Sequence, residues 1–333
     1  MPSVLETFSD EVFFEIFDRL SPIDLYQTFH GLNHRFNTIL NDSRMRFRDN
    51  ISSLTLREFH SYVENILPKI IDRLVSFTFG TYDTDEYQQV SLFLHTYSID
   101  LSLFKNLRTL VIIKITISDI SIIQLALIHL IHLVNIRLSV DSNDVERLSV
   151  VNIGNNFFIS PRLKHVKMNM CSRTTFNNVN KISNIKQLSI VWCQLQELTH
   201  LLQYTPDLYT LKATISGLND TKQWTEKICE LTQLRSLWLL LNHYEYMNAE
   251  KWENIFQSSL SKVDQLDLTI ALMKPFSPGQ LLIFSTPHEA CKKFNTKFWF
   301  NRGWCAKLDE YDHCIRLIVS NNMMPIIKKT KRE

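Results

Sequence analysis

The pattern apolar-x-x-apolar-x-apolar recurs along most of the chain. It occurs at Ile51-Leu54-Leu56, Leu74-Phe77-Phe79, Leu107-Leu110-Ile112, Leu133-Ile136-Leu138 and Leu163-Val166-Met168. It returns at Ile185-Leu188-Ile190, Leu208-Leu211-Ala213, Leu234-Leu237-Leu239, Val263-Leu266-Leu268 and Cys314-Leu317-Val319. Successive starts lie 22 to 33 residues apart until the last, which comes after a gap of 51. That gap leaves room for one degraded unit around Phe298-Trp299-Phe300. A single hit means little in a chain that is 45% hydrophobic. Recurrence at a near-constant period marks units that bury their apolar faces only by stacking. Apolar residues two apart suit a half-buried strand. Between the triplets, 119–130, 195–204, 219–231 and 248–260 carry helix-like spacing, with Asp220 and Asn248 as caps. Strand, helix, strand at this period predicts an α/β solenoid with strands on an inner wall and helices outside.

The first forty residues have a different rhythm. Ser9 is placed to cap a helix, and Glu11 favours its positive end. Val12 or Phe13, Ile16 or Phe17, and Leu20 recur at helical spacing. Ser21-Pro22-Ile23-Asp24 then reads as a second start: a capping serine, a proline at the first helical position, and an acid at the third that reaches back. Leu25, Phe29 and Leu32 form its stripe. Gly31 and Asn33 end it and open a third helix bearing Phe36, Ile39 and Leu40. Three short helices cannot hide this many apolar side chains, so a surplus face is expected to dock on something.

These residues carry a family resemblance. The run from Phe8 to Leu25 resembles the F-box opening, roughly L-P-x-E-[IVL]-x-x-x-I-F-x-x-L-[SP]-x-x-D-L, with Phe8-Ser9 in place of Leu-Pro. Leu32-Asn33-His34-Arg35-Phe36 resembles its V-C-[KR]-x-[FW] ending, with Asn33 in place of the small residue. The resemblance covers residues 5 to 45. It implies a Skp-family adaptor as partner, tethered to a cullin scaffold and a ubiquitin-conjugating enzyme. The positions it assigns to that contact are Phe8, Glu11, Val12, Ile16, Phe17, Leu20, Pro22, Leu25, Leu32 and Phe36. The remainder resembles a divergent leucine-rich repeat. That family places Asn or Cys at the ninth position, where this chain has Cys171, Cys193, Asn242 and Asn322. There the side chain bonds to backbone inside the turn, which gives both cysteines a structural role. The implied architecture is a three-helix F-box over 1–45, a curved leucine-rich-repeat-like solenoid over 51–322, and a basic tail over 323–333. The implied function is substrate recognition for an SCF-type ubiquitin ligase. The rivals are a repeat scaffold that does not engage a ligase, and an enzyme using a solenoid-borne cysteine.

Composition narrows the field. Net charge is +2 and charged residues make up 21%, so no global field marks a nucleic-acid binder. No apolar run reaches the length of a membrane span, and the N-terminus lacks the pattern of a signal peptide; a cytoplasmic or nuclear protein is expected. The six glycines, at 31, 80, 154, 217, 279 and 303, are never closer than 24 residues. Phosphate-cradling loops, which need clustered glycines, are therefore absent. None of the six cysteines forms a CxxC pair. His30 and His34 stand four apart on an expected helix, but no third ligand accompanies them. No catalysis, cofactor or metal is expected.

The expected target surface is the set of strand positions that alternate with the triplets. In the five units starting at Leu133, Leu163, Ile185, Leu208 and Leu234, the middle members form the row Arg137, Lys167, Ser189, Lys212 and Trp238. With their neighbours they make fifteen positions, none of them acidic. Arg137, Lys167, Lys212 and Trp238 are the candidate target-binding residues, suited to an acidic or phosphorylated peptide with an apolar anchor.

Overall fold

The structure is a computed structural model of the 333-residue chain. It describes residues 7–81, 88–140, 151–153, 157–158, 160–169, 174–176, 179–216, 231, 233–241, 249–258, 260–273, 291–310 and 314–321. The chain divides into two compact units: Met1–Ser149 with Gly154–Cys171, and Val150–Ile153 with Ser172–Glu333. Both are mixed α/β, and each is built on an open, mostly parallel sheet. Among the described residues, no helix is long and apolar enough to cross a membrane.

The first unit begins with α1 (Asp10–Phe17), α2 (Pro22–Thr28) and α3 (His34–Asn41). Proline stands at the start of α2, and the Ser21 hydroxyl accepts from the Asp24 amide at 3.1 Å. Asp24 does not return a bond to the Ser21 amide; its carboxylate accepts from the Ser21 hydroxyl instead. Ser9 holds the cap position of α1 but makes no side-chain cap bond. The chain leaves α2 through Gly31 at φ +86°, the left-handed region that glycine enters without steric cost. Asn33 caps α3 by accepting from the Phe36 amide at 2.9 Å. Phe13, Phe17, Leu25, Phe36, Ile39 and Leu40 make the core of the three helices.

The unit continues with β1 (Phe47–Asn50), α4 (Leu56–Asn65), α5 (Leu67–Ile70), β2 (Leu74–Phe79), α6 (Gln89–Ser91), β3 (Thr109–Ile115), α7 (Ile117–Leu127), β4 (Asn135–Val140) and β6 (His165–Asn169). The strands pair in parallel in the order β1-β2-β3-β4-β6. Complete capping boxes start α4 (Thr55 with Glu58) and α7 (Thr116 with Asp119). The Arg73 side chain, 8% exposed, joins the three helices to the first strand and α5. It donates to the Leu40 carbonyl at 2.6 Å and the Lys69 carbonyl at 2.7 Å, and lies over the Phe47 ring.

In the second unit, β5 (Val151–Asn152) pairs only with β7 (Thr174–Thr175). Its main sheet holds β8 (Gln187–Gln194), β9 (Thr210–Ser216), β10 (Ser236–Leu241) and β11 (Gln265–Met273) in parallel, accompanied by α8 (Leu195–Leu202) and α9 (Ala249–Ser258). After α10 (Lys297–Asn301), β12 (Cys305–Glu310) and β13 (Cys314–Ser320) close the sheet, with β13 antiparallel to both β11 and β12.

Eight of the ten triplets, those starting at Leu74, Leu107, Leu133, Leu163, Ile185, Leu208, Leu234 and Val263, are buried throughout, none of their side chains more than 5% exposed. Their strand members stack in register, as in Leu110↔Ile136↔Val166 and Leu188↔Leu211↔Leu237↔Leu266. In six of the eight, the residue after the first triplet member passes its carbonyl to the next unit. The Arg108 carbonyl takes the Val134 and Asn135 amides, that of Lys186 takes Tyr209 and Thr210, and that of Arg235 takes Asp264 and Gln265, all at 2.8–3.1 Å. A tight turn precedes six of the eight triplets, with the Leu107, Leu133, Leu163, Leu208, Leu234 and Val263 amides bonded to the carbonyls of Phe104, Leu130, Ser160, Thr205, Leu231 and Leu260. Those six residues are buried. The unit is therefore one turn longer than the triplet alone.

Three sequence expectations need correcting. Ile51-Leu54-Leu56 is no strand: β1 ends at Asn50, and Leu56, 41% exposed, opens α4 because Thr55 and Glu58 cap there. Phe298-Trp299-Phe300 lies in helix α10 and buries only Trp299 at the centre of an aromatic cluster. Cys314-Leu317-Val319 forms a strand, but its antiparallel pairing ends the repeat rather than extending it. Helices expected at 195–204, 248–260 and 119–130 correspond to α8, α9 and α7, the last starting two residues earlier at its Thr116 cap. The expected helix at 219–231, caps Asp220 and Asn248, and the tail at 323–333 lie outside the described residues.

Two local features generate predictions. Gly80, at φ +89°, donates its amide to the buried Gln89 side chain, which in turn donates to the Ile51 carbonyl at 2.9 Å. A Cβ at Gly80 would fall 1.9 Å from the Ile113 carbonyl oxygen. Gly80→Ala should therefore cost about 3 kcal/mol or more, by overpacking plus backbone strain. Gly31→Ala, with nothing within 4 Å of the added carbon, should cost about 1 kcal/mol from backbone alone. Urea unfolding of both variants checks the contrast.

Asp49, on β1, is 3% exposed, and neither carboxyl oxygen has a hydrogen-bond partner. Burial pushes its pKa up to about 6, only partly offset by the nearby Tyr62 hydroxyl and Asn50 amide. The folded state thus holds a proton that the unfolded chain releases near pH 4. Stability is highest below that point, falls as pH rises to about 6, and stays low above. Asp49→Asn should raise stability at pH 7.5 by up to about 3 kcal/mol, on the order of two pKa units, and change little at pH 4. Thermal melts at the two pH values measure this; equal shifts at both would refute it.

Candidate functional site

Two surfaces have the makings of docking sites, one on the helices and one on the strands. The first is on the N-terminal helices. The buried side of α1 is aromatic: Phe13 meets Phe36 edge-on at 5.1 Å, and Phe17 meets Phe29 at 4.8 Å. Phe8, Val12, Ile16 and Leu20 keep a spacing of four: Val12 and Ile16 lie on one ridge of α1, and Phe8 and Leu20 stand just before and just after the helix. They are 43%, 38%, 37% and 36% exposed, and Leu32 is 61% exposed. Five large apolar side chains on forty residues exceed what isolated surface exposure requires.

The ten residues expected at an adaptor contact thus separate into two groups. Phe8, Val12, Ile16, Leu20 and Leu32 are exposed, as is Glu11, whose carboxyl is held below the usual range by a backbone amide and the Ser9 hydroxyl. Phe17, Pro22, Leu25 and Phe36 are buried within the three helices and position the others from beneath. Sequence reasoning gave no role to Arg35. Its guanidinium donates to Asp10 at 2.6 Å and to the Phe8 carbonyl, and lies 5.3 Å from the Phe13 ring centre. It ties α3 to the residues entering α1 and so fixes where Phe8 stands. Its signal was its place two residues after the Asn33 cap and just before Phe36.

The second surface is the strand face opposite the triplets. In the first unit Arg137 and Lys167 are register partners and both are exposed. In the second unit Lys212 and Trp238 are register partners, with the Lys212 ammonium 4.2 Å from the centre of the Trp238 ring. The row does not stay free of acid. On the next strand Asp267 stands beside Trp238, one unit past the fifteen positions considered from sequence.

The remaining candidates resolve as structure. His30 and His34 do not share a helix: His30 lies just past α2 and stacks on Tyr26, whereas His34 opens α3. Cys171, Asn242 and Asn322 lie outside the described residues. Cys193 is buried on β8, in register with Ile215 just past a strand irregularity, and its thiol points to the Thr214 carbonyl at 3.8 Å. That carbonyl belongs to the neighbouring strand β9. Burial pushes its pKa up to about 12, far from the thiolate a nucleophile needs. Cys193→Ala should therefore cost about 1 kcal/mol or more through the lost contact and the small void. The native thiol should resist alkylation at pH 7.5 until the protein unfolds; rapid labelling of the folded protein would contradict this assignment.

No family model matches the chain, and no curated protein matches it.

Proposed function

We propose that the chain is the substrate-recognition subunit of an SCF-type ubiquitin ligase. Its N-terminal helices would form an F-box that binds a Skp-family adaptor, and its leucine-rich-repeat-like strands and helices would hold a target. One observation carries the reading: the ridge Phe8, Val12, Ile16, Leu20, with Leu32, is exposed over a well-packed three-helix core. An apolar ridge that the chain leaves uncovered favours a permanent or recurrent protein partner. The F-box resemblance names the kind. The in-register repeat supports the second half, because stacked units present an extended row of side chains of the sort that holds proteins.

Such a subunit does no bond chemistry. It raises the local concentration of target lysines beside a charged conjugating enzyme. Arg35 and the buried Phe17, Leu25 and Phe36 hold the docking ridge in shape, while Arg73 ties the three helices to the first strand and α5.

Ile16→Asp and Leu20→Asp should each weaken adaptor binding by about 2 kcal/mol or more, roughly thirtyfold, because a charge would be buried without a partner. Both positions are solvent-facing in the free protein, so its melting temperature should hold within a few degrees. Phe17→Asp, in the core, should unfold the helices instead. The measurement is co-purification and titration with a Skp-family adaptor. Undiminished binding by both soluble variants would overturn the ligase reading in favour of a repeat scaffold that engages no ligase.

A further inference from the structure

Ser189, Lys212, Trp238 and Asp267 are register partners on the four consecutive parallel strands β8, β9, β10 and β11. Adjacent strands lie about 4.8 Å apart. A base, an indole and an acid therefore stand in a line across the second unit. The flanking rows are uncharged: Gln187, Thr210, Ser236 and Gln265 on one side, Thr214, Leu240 and Thr269 on the other. The Trp238 ring is fixed. Its indole N–H donates to the Ser236 hydroxyl at 2.8 Å, and the Lys212 ammonium rests on its face. Lys212 is exposed, whereas Trp238 and Asp267 are half-buried. Burial raises the Asp267 carboxyl above the usual range, and the Lys212 charge and Thr269 hydroxyl offset only part of that. A carboxylate so placed gains from a cation brought to it.

We propose that this row is a recognition surface for an extended peptide that carries an acid and a base three residues apart with an apolar residue between them. The acid would meet Lys212, the apolar side chain would cover Trp238 and Leu240, and the base would meet Asp267. The spacing comes from geometry. Lys212 and Asp267 are two strands apart, about 10 Å, and in a peptide of polyproline-II conformation, with three residues per turn and a rise of about 3.1 Å, side chains three apart face the same way roughly 9 Å from each other. An acidic or phosphorylated peptide, the occupant expected from the five units before β11, would bring like charge against Asp267. The inference rests on the proposed role of the strand face as the target-holding part of the chain, but not on the adaptor.

The test uses the full chain on an array of end-blocked peptides. One set has an acid and a base three residues apart, in both orders, around Leu or Phe; the others are all-acidic, all-basic and uncharged at the same places. The mixed set should retain the parent about tenfold better than either single-sign set, the equivalent of one well-placed charge pair. Lys212→Glu should move the preference to all-basic peptides, and Asp267→Lys to all-acidic ones. Trp238→Ala should weaken every set. Should a reversal unfold the protein, Lys212→Gln and Asp267→Asn replace it, each erasing the preference for one sign alone. Equal retention of all sets by the parent, or an unchanged ranking in the folded variants, overturns the inference. Adaptor binding by the same variants is measured separately. Its failure alone counts against the ligase reading, and failure of the array alone counts against this surface.

Discussion

The register of the repeat depends on one backbone arrangement, made after five of the eight buried triplets: a carbonyl, just after the first buried residue of the triplet, that accepts two amides from the next unit. Arg108, Val134, Lys186, Tyr209 and Arg235 all serve in this way, though their side chains share nothing. The bond fixes the register of the next strand. Register in turn decides which side chains face inward, since a slip of one residue would exchange the two faces. Burial is then a consequence. Leu110, Ile136 and Val166 meet because their strands start level, and so do Leu188, Leu211, Leu237 and Leu266. The apolar side chains reward the register at roughly 1.5–3 kcal/mol apiece, but the carbonyl sets it.

The same arrangement decides where chemistry is available. A triplet side chain is committed to the stack, and the residue three before it is committed to the turn. What remains on a strand is every second position on the other face. That face holds the Arg137–Lys167 pair in one unit and Lys212, Trp238 and Asp267 in the other. Two bases on adjacent strands oppose folding slightly; a base, an indole and an acid in line do not. The N-terminal helices obey a different constraint. With a period of 3.6, one ridge of α1 packs on Phe36 and Phe29 while the ridge beside it is left outside.

Much of the repeat is legible in the amino-acid sequence. Period and spacing placed eight triplets correctly, because each carries its burial signal in side chains alone. The helix breaks at Gly31 and Asn33 were legible because left-handed glycine and capping asparagine are local chemistry. The failures share a cause: the deciding interaction was not apolar or not local. Ile51-Leu54-Leu56 matches the pattern, yet the Thr55–Glu58 capping box converts its second half to helix. Cys314-Leu317-Val319 also matches, but strand direction is not written in a triplet. Of the ten expected adaptor-contact positions, spacing could not say which face of α1 would be covered. That depended on Phe29 and Phe36, contributed by residues beyond α1. Arg35, Arg73 and Gln89 escaped notice because each acts through distant backbone carbonyls or amides, for which sequence has no period.

The polar groups buried in the first unit show what holding the helices and strands together costs. Arg73 is satisfied by the carbonyls of Leu40, Asp42 and Lys69, so its charge is distributed over helix ends. Asp49, on β1, is compensated only in part by the nearby Tyr62 hydroxyl and Asn50 amide, and neither its carboxyl oxygens nor the hydroxyls of Tyr62 on α4 and Tyr26 on α2 have a partner at hydrogen-bond geometry. A well-packed apolar joint would be more stable than this one. Among the described residues, the buried polar side-chain groups without a partner are those of Asp49, Tyr26 and Tyr62, where the three N-terminal helices meet the first strand, and the indole N–H groups of Trp299 and Trp304 in the second unit. Acid acts differently on the joint and on the repeat: protonation of Asp49 relieves the joint and leaves the carbonyl ladder untouched, since that ladder holds no titrating group.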